Sequence, residues 1–168
     1  MFSVPLDYLT CRSSDGLEGK DVATMMLREH LRRNDVTLAE ILLSRGDFGV
    51  KAYNVLMNHY AVEGNVLKVS ATLDLMLSRG ILPTPVTYAT MCKAMAFHGN
   101  VDQVVSIMEV LQSDKIDVNV YFYSALIAAC GNCSPPDVVR AEYGFKEAVF
   151  KGFQPERLVK VLSRAVGG

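Results

Sequence analysis

From Val50 to Thr84 the chain reads VKAYNVLMNHYAVEGNVLKVSATLDLMLSRGILPT, and from Pro85 to Asn119 it reads PVTYATMCKAMAFHGNVDQVVSIMEVLQSDKIDVN. Laid over one another, Tyr53 meets Tyr88, Leu56 meets Met91, Ala61 meets Ala96, and Gly64-Asn65 meets Gly99-Asn100. Val66 then meets Val101, Val69 meets Val104, Leu73 meets Met108 and Ile81 meets Ile116. Residues 120–156 form a third copy that keeps Tyr123, Leu126 and Ile127, takes in two extra residues around Cys133 to Pro136, and returns to phase at Val138, Phe145, Gly152 and Pro155. Self-similarity at a fixed period marks one supersecondary unit repeated and stacked.

Within a copy the spacing is helical. Tyr53, Leu56, Met57 and Tyr60 fall at i, i+3, i+4, i+7, as do Tyr88, Met91, Cys92 and Met95. A second apolar stripe (Val66, Val69, Leu73, Met76, Leu77) follows the Gly-Asn break. Gly64 and Gly99 can take the left-handed conformation that closes a helix and turns the chain back. Gly80 ends the second helix, and Pro83 prevents its continuation. One helix hairpin has too small an apolar seam to stand alone, whereas stacked hairpins cover each other's seams. The fold class expected is therefore all-α, an α-solenoid of helix-turn-helix units.

Working outward, residues 20–49 read as a degenerate, shorter unit. Its first helix is expected over Thr24 to Arg33, its turn at Asn34-Asp35, and its second helix from Thr37, where Thr37 and Glu40 have capping-box spacing. Residues 157–166, with Leu158, Val159 and Leu162 on one side, read as the opening helix of a fifth unit. Residues 1–19 lack helical periodicity and read as an N-terminal extension.

Composition narrows the function. Of 168 residues half are hydrophobic, enough for a core. The longest unbroken apolar run, Ala125 to Cys130, is far below the roughly 20 residues of a spanning helix, so no membrane span is expected. The net charge is −1, and both halves of the chain are balanced. A nucleic-acid role must then rest on a local surface rather than on a global field. Met1 to Gly19 carries one basic residue, Arg12, and has neither the charge-flanked apolar segment of a signal peptide nor the Arg-rich pattern of a transit peptide.

In register, length and consensus the units resemble the pentatricopeptide repeat family. The similarity is carried by Ala52-Tyr53-Asn54, Gly64 and Gly80-Ile81-Leu82-Pro83, then by Val86-Thr87-Tyr88 and Gly99, then by Tyr123-Ser124-Ala125 and Gly152-Phe153-Gln154-Pro155. It covers residues 50 to 156 well and 20 to 49 loosely. The resemblance implies sequence-specific binding of single-stranded RNA in a mitochondrion or plastid, one nucleotide per unit, with DNA not a partner. Two polar side chains per unit would meet the edge of an unstacked base. By resemblance these are the fifth and last residues of each unit: Thr24 with Gly49, Asn54 with Thr84, Ala89 with Asn119, and Ser124 with Glu156. The residues beside each unit start, which clamp the base in the family, are Lys51, Val86 and Tyr121.

The pattern is incomplete. The family favours a hydroxyl or amide fifth and Asp or Asn last; Asn54, Ser124 and Asn119 fit, but no unit holds both members, and Ala89 offers no hydrogen bond. Where the family often carries a phosphate-binding Lys near the end of the first helix, this chain has Val62, Phe97 and Asn132. Four units reading about four bases, each stacked base worth roughly 1–3 kcal/mol, leave little above the cost of association. Weak RNA binding by the chain alone is the expectation. The alternative is a scaffold that grips protein partners in a larger organellar assembly such as a ribosome or membrane complex.

Other candidate chemistry reduces to packing. Cys130-Gly131-Asn132-Cys133 has C-x-x-C spacing, but no second ligand pair accompanies it, so neither a metal nor another cofactor is expected. His30, His59 and His98 are isolated. Asp47-Phe48-Gly49 lacks every other element of a kinase and reads as an inter-unit turn. Ser134-Pro135-Pro136-Asp137 reads as a helix start with Ser134 as N-cap. With no nucleophile–base set or carboxylate pair, an enzyme is not expected. Two basic groups stand out: Arg28, Arg32 and Arg33 at one helix end, and Lys151, Arg157, Lys160 and Arg164 near the C-terminus, the latter better suited to a phosphate-rich partner.

Overall fold

The computed structural model describes residues 18–167, and among these the regular structure is entirely helical. Four hairpins follow one another: α1 (Glu18–Arg32) with α2 (Val36–Arg45), α3 (Val50–Val62) with α4 (Val66–Ser78), α5 (Pro85–Phe97) with α6 (Val101–Ser113), and α7 (Val120–Asn132) with α8 (Val138–Phe150). A single helix, α9 (Glu156–Val166), completes the series. The first helices form one stacked layer in the order α1, α3, α5, α7, α9, and each second helix packs on its own first helix and on the next one. This is the all-α repeat solenoid that the period of the sequence requires.

The turns repeat because their backbone hydrogen bonds repeat. Within hairpins, Asn34, Gly64 and Gly99 adopt φ of 62°, 69° and 68°. The next amide then donates to the carbonyl five residues back, Asp35 to His30, Asn65 to Tyr60 and Asn100 to Met95, at 2.9–3.1 Å. Between hairpins, Gly80, Lys115 and Gly152 are left-handed, with Ile81, Ile116 and Phe153 bonding back to Met76, Leu111 and Ala148. These are Schellman closures, which satisfy carbonyls that a helix end leaves open. An Asx side chain then starts the next helix: Asp35 accepts from the Leu38 amide, Asn65 from Lys68 and Asp137 from Arg140.

Two clusters make up the core, one from α1–α4 and one from α5–α9, and α5 contributes to both. Tyr53, Leu56, Met57 and Tyr60 are buried as their spacing requires, whereas Leu77 of the second stripe is exposed. Sandwiched between α3 and α7, α5 buries small side chains on opposite sides (Thr87, Ala89, Thr90, Cys92, Ala94, Ala96). Close approach continues at Gly131, where a β-carbon would lie 2.7 Å from the Ala165 backbone. The middle residue of the C-x-x-C stretch is thus a helix-packing glycine.

Three sequence expectations need correction. α1 begins six residues before Thr24, at Glu18, so the expected extension 1–19 gives its last two residues to this helix; residues 1–17 lie outside the described residues. Thr37 and Glu40 do not cap α2: Asp35 does, and the Glu40 carboxylate instead accepts from Tyr60 and pairs with Lys68 at 2.7 Å. Ser134 does not start α8. The insertion is spent crossing from α7, whose C-cap is Cys133, to Asp137, which is the N-cap of α8.

Candidate nucleic-acid interface

Stacking the first helices puts equivalent residues of consecutive units side by side. In the second-residue row, Lys51 Nζ lies 3.1 Å from Asp21 Oδ1, and Val86 and Tyr121 are exposed. The Tyr121 hydroxyl accepts from Arg157 Nη1 at 3.2 Å. About two helical turns further along, Lys93 Nζ reaches Asn58 Oδ1 at 2.9 Å, again between equivalent positions one unit apart. Exposed apolar and aromatic surface at Val86 and Tyr121 is surface on which a planar ring can stack.

The fifth and last residues meet in one unit. Asn54 Nδ2 is 3.5 Å from Thr84 Oγ1, while Asn54 Oδ1 accepts from Thr87 Oγ1 at 2.7 Å. Thr87, fully buried, also receives the Thr84 amide at 3.0 Å, which closes the capping box of α5. The Asn54 amide is therefore held from both ends and stays half-exposed. Elsewhere the polar set is thinner. Thr24 and Ala89 are buried, Gly49 is the N-cap of α3, and the Asn119 side chain turns back to accept from the Tyr121 amide. Ser124 is half-exposed.

Glu156 is exposed, and it occupies a different register from Thr84 and Asn119. Those two are helix N-caps, whereas Glu156 is the first residue of α9 and Pro155 is the cap. Burial fixes the alignment, since the third residues of α3, α5, α7 and α9 (Ala52, Thr87, Phe122, Leu158) are all fully buried. In this register Arg157 continues the second-residue row and Lys160 the fifth. The Gly152-to-Glu156 spacing conceals the shift, because α9 starts one residue earlier than its counterparts.

Charge is sorted between the layers. From α3 to α9 the first helices carry Lys51, Lys93, Arg157, Lys160 and Arg164 against one carboxylate, Glu156. Asp74, Asp102, Glu109, Glu142 and Glu147 lie on the second helices of the same stretch, which carry only Lys68, Arg140 and Lys146 against them. The balanced total thus hides a partial polarisation, with cations in excess on the layer that carries the second and fifth rows. Burial lowers the Lys93 pKa. The basic group near the C-terminus divides: Lys151 pairs with Glu147 at 3.0 Å and sits over the Tyr123 ring, leaving Arg157, Lys160 and Arg164 on α9. In the other group, Arg32 and Arg33 both clasp Glu29, whose pKa their hydrogen bonds and charge lower to about 2.

The remaining candidates are structural. Cys130 is fully buried and Cys133 half-buried, and burial raises the thiols of Cys92 and Cys130 to about 12 and about 11. His98 Nε2 lies 2.6 Å from the Gly64 carbonyl, latching one hairpin turn to the previous one, as Asn132 Nδ2 does on the Ala96 carbonyl.

Comparison with known proteins gives the same unit. Residues 49–97 match a model described as the PPR repeat family, and residues 85–133 match one described as the pentatricopeptide repeat domain. Together the matches run over residues 49–133, half of the chain. The chain belongs to the pentatricopeptide repeat family. A curated chloroplastic pentatricopeptide repeat-containing protein of Arabidopsis thaliana is 24% identical over 125 residues, which are 74% of this chain and 12% of that protein. The fold is similar to that of the pentatricopeptide repeat protein PPR10 in complex with an 18-nt psaJ RNA element, with a TM-score of 0.70 and 24% identity over 85% of this chain. PPR10 from maize is similar with a TM-score of 0.63 and 18% identity over 87% of the chain. The chain spans 12% of the curated relative and 22% of the PPR10 chains.

Proposed function

We propose that this chain binds single-stranded RNA along the first-helix layer and acts by binding rather than by catalysis. The observation that carries the reading is the ladder of equivalent side chains one unit apart, with Val86 and Tyr121 exposed in the second-residue row and the Asn54 amide held in the fifth. Lys51, Val86 and Tyr121 would flank the bases. Asn54 with Thr84, and Ser124 with Glu156, would supply polar contacts to base edges. Ala89 and Asn119 would contribute shape more than hydrogen bonds, because one has no polar atom and the other is engaged as a cap. Similarity to PPR10 in its RNA complex and to the chloroplastic relative supports a role in organellar transcript processing, stability or translation. The test is fluorescence anisotropy with a labelled single-stranded RNA, its duplex and the DNA of the same sequence. Micromolar-range binding to the single-stranded RNA, weakened roughly 5- to 100-fold by Tyr121→Ala, is expected from the loss of one stacked base. No binding at 50 mM salt, or equal binding to the duplex, refutes the reading.

A second reading, a scaffold gripping protein, is favoured by one observation. The outer side of α8 exposes Val139, Tyr143 and Phe150 at i, i+4 and i+11, with Phe150 90% accessible. An RNA affinity that does not change with salt would put this reading ahead.

A further inference from the structure

Many cations among the described residues are held by a carboxylate or by carbonyls. Lys51 has Asp21, Lys68 has Glu40, Arg140 has Asp102 and Asp137, Lys146 has Glu142, and Lys151 has Glu147, while Arg79 caps the carbonyls at the end of α2. On α9 the situation differs. Leu158 and Ala165 are buried, with Ala165 against Gly131, so the orientation of the helix on α7 is fixed. Arg157, Lys160 and Arg164 are exposed at i, i+3 and i+7, one face covering about 10 Å of helix axis. Among the described residues none of the three has a carboxylate partner; Arg157 donates only to the Tyr121 hydroxyl. Three cations on one face, beside an exposed aromatic ring and with Glu156 the one carboxylate on their helix, cost self-repulsion that folding does not require.

Resting on the RNA reading above, we propose that this α9 face is a backbone-phosphate site. Arg157, Lys160 and Arg164 bind consecutive phosphodiesters of single-stranded RNA while Tyr121 carries the adjacent base. The site supplies the electrostatic contribution that Val62, Phe97 and Asn132 cannot, and it makes α9 an anchor for the strand rather than a reader of sequence. Guanidinium groups suit the role through their paired donors to phosphate oxygens.

The experiment measures the dissociation constant for a labelled oligouridylate between 50 and 200 mM salt. It compares the unaltered protein, the triple variant Arg157→Gln/Lys160→Gln/Arg164→Gln, the single variant Lys160→Gln, and Lys146→Gln on α8 as an outer-face control. A single-stranded site loses about 0.7 of log–log salt slope per phosphate contact removed. The triple variant is therefore expected to lose about 2 in slope and about 100-fold in affinity at 0.1 M salt, Lys160→Gln about 0.7, and Lys146→Gln nothing. Far-UV circular dichroism should be unchanged, since all the altered side chains are exposed. A salt-dependent interaction that keeps its slope in the triple variant overturns this inference and leaves the RNA reading standing. Absence of RNA binding by the unaltered protein removes both.

Discussion

Tyr53 and Tyr123 hold the same place in two units and are both fully buried, yet only one hydroxyl has a partner. Tyr123 donates to Glu147 Oε1 at 3.0 Å, while the Tyr53 hydroxyl has none. The cause is on the second helix, where Leu75 of α4 stands at the position that Glu147 occupies in α8. A buried hydroxyl without a partner carries its desolvation cost uncompensated. Tyr53→Phe is expected to raise stability by about 1 kcal/mol, and Tyr123→Phe to lower it by a similar amount. Urea unfolding of the two variants checks this; equal changes of the same sign would show that the hydroxyl environments are equivalent.

Lys115 occupies the left-handed closing position that Gly80 and Gly152 fill in the neighbouring units, with φ of 59°. For a residue with a β-carbon that conformation costs about 1 kcal/mol. Its side chain is exposed, so little packing is lost on removal. Lys115→Gly is expected to stabilise the chain by up to about 1 kcal/mol, less the greater backbone entropy that glycine brings to the unfolded state. A lower thermal midpoint for this variant would contradict the account.

Glu40 joins α2 to α3 and α4, and its pKa is lowered first by the Lys68 ammonium and then by the Tyr60 hydroxyl. A lowered carboxylate stabilises the fold above its unfolded value of about 4.3, and the contribution fades as pH falls through the folded value. Both charged side chains are more than a third exposed, so solvent screening keeps the effect below about 1 kcal/mol. Glu40→Gln should therefore be slightly less stable than the unaltered chain at pH 7. The two should begin to converge as pH falls below the unfolded value of about 4.3, and meet once the lowered folded carboxylate is also protonated. A gap that widens on acidification would mean that the sign is wrong.

Thiol reactivity follows from burial. Cys92 and Cys130 are fully buried, with thiol pKa values raised to about 12 and about 11, whereas Cys133 is half-exposed at the end of α7. In a Cys11→Ser background at pH 8, one equivalent of thiol per chain is expected to react with a disulfide reagent before unfolding, with Cys133 as its site. Rapid modification of all three would show that the α5–α7 packing opens readily.

The hairpin turns and the buried stripe of the repeated first helices are legible in the sequence. Gly64 and Gly99 announced their turns, and the i, i+3, i+4, i+7 stripe of α3 is the stripe that is buried. What was lost depends on contacts between units. Glu40 resembles a capping residue until its partners Tyr60 and Lys68, 20 and 28 residues away, are known. Ser134 resembles an N-cap because the two-residue insertion hides that Asp137 serves instead. Glu156 keeps its spacing from Gly152 while α9 starts one residue early, which concealed that Arg157 and Lys160 continue the rows. The charge sorting is visible in the sequence only after each residue has been assigned to a first or a second helix.

Thr87 gave no sign of its role, because its partner Asn54 is 33 residues earlier. It bonds to Asn54 Oδ1 and to the Thr84 amide from a fully buried position, so both members of the fifth-and-last pair lean on one hydroxyl. Thr87→Val preserves the shape and removes that hydroxyl. The expected cost is about 1–2 kcal/mol of stability, from two lost hydrogen bonds and a half-buried amide left partly unmatched. Where Asn54 meets a base, the freed amide also loses its fixed orientation. RNA affinity should then fall further than in Thr90→Val, a change on the same helix whose hydroxyl bonds only the Val86 carbonyl. Equal affinities for the two variants, measured well below their unfolding temperatures, would show that the Asn54–Thr87 bond serves folding alone.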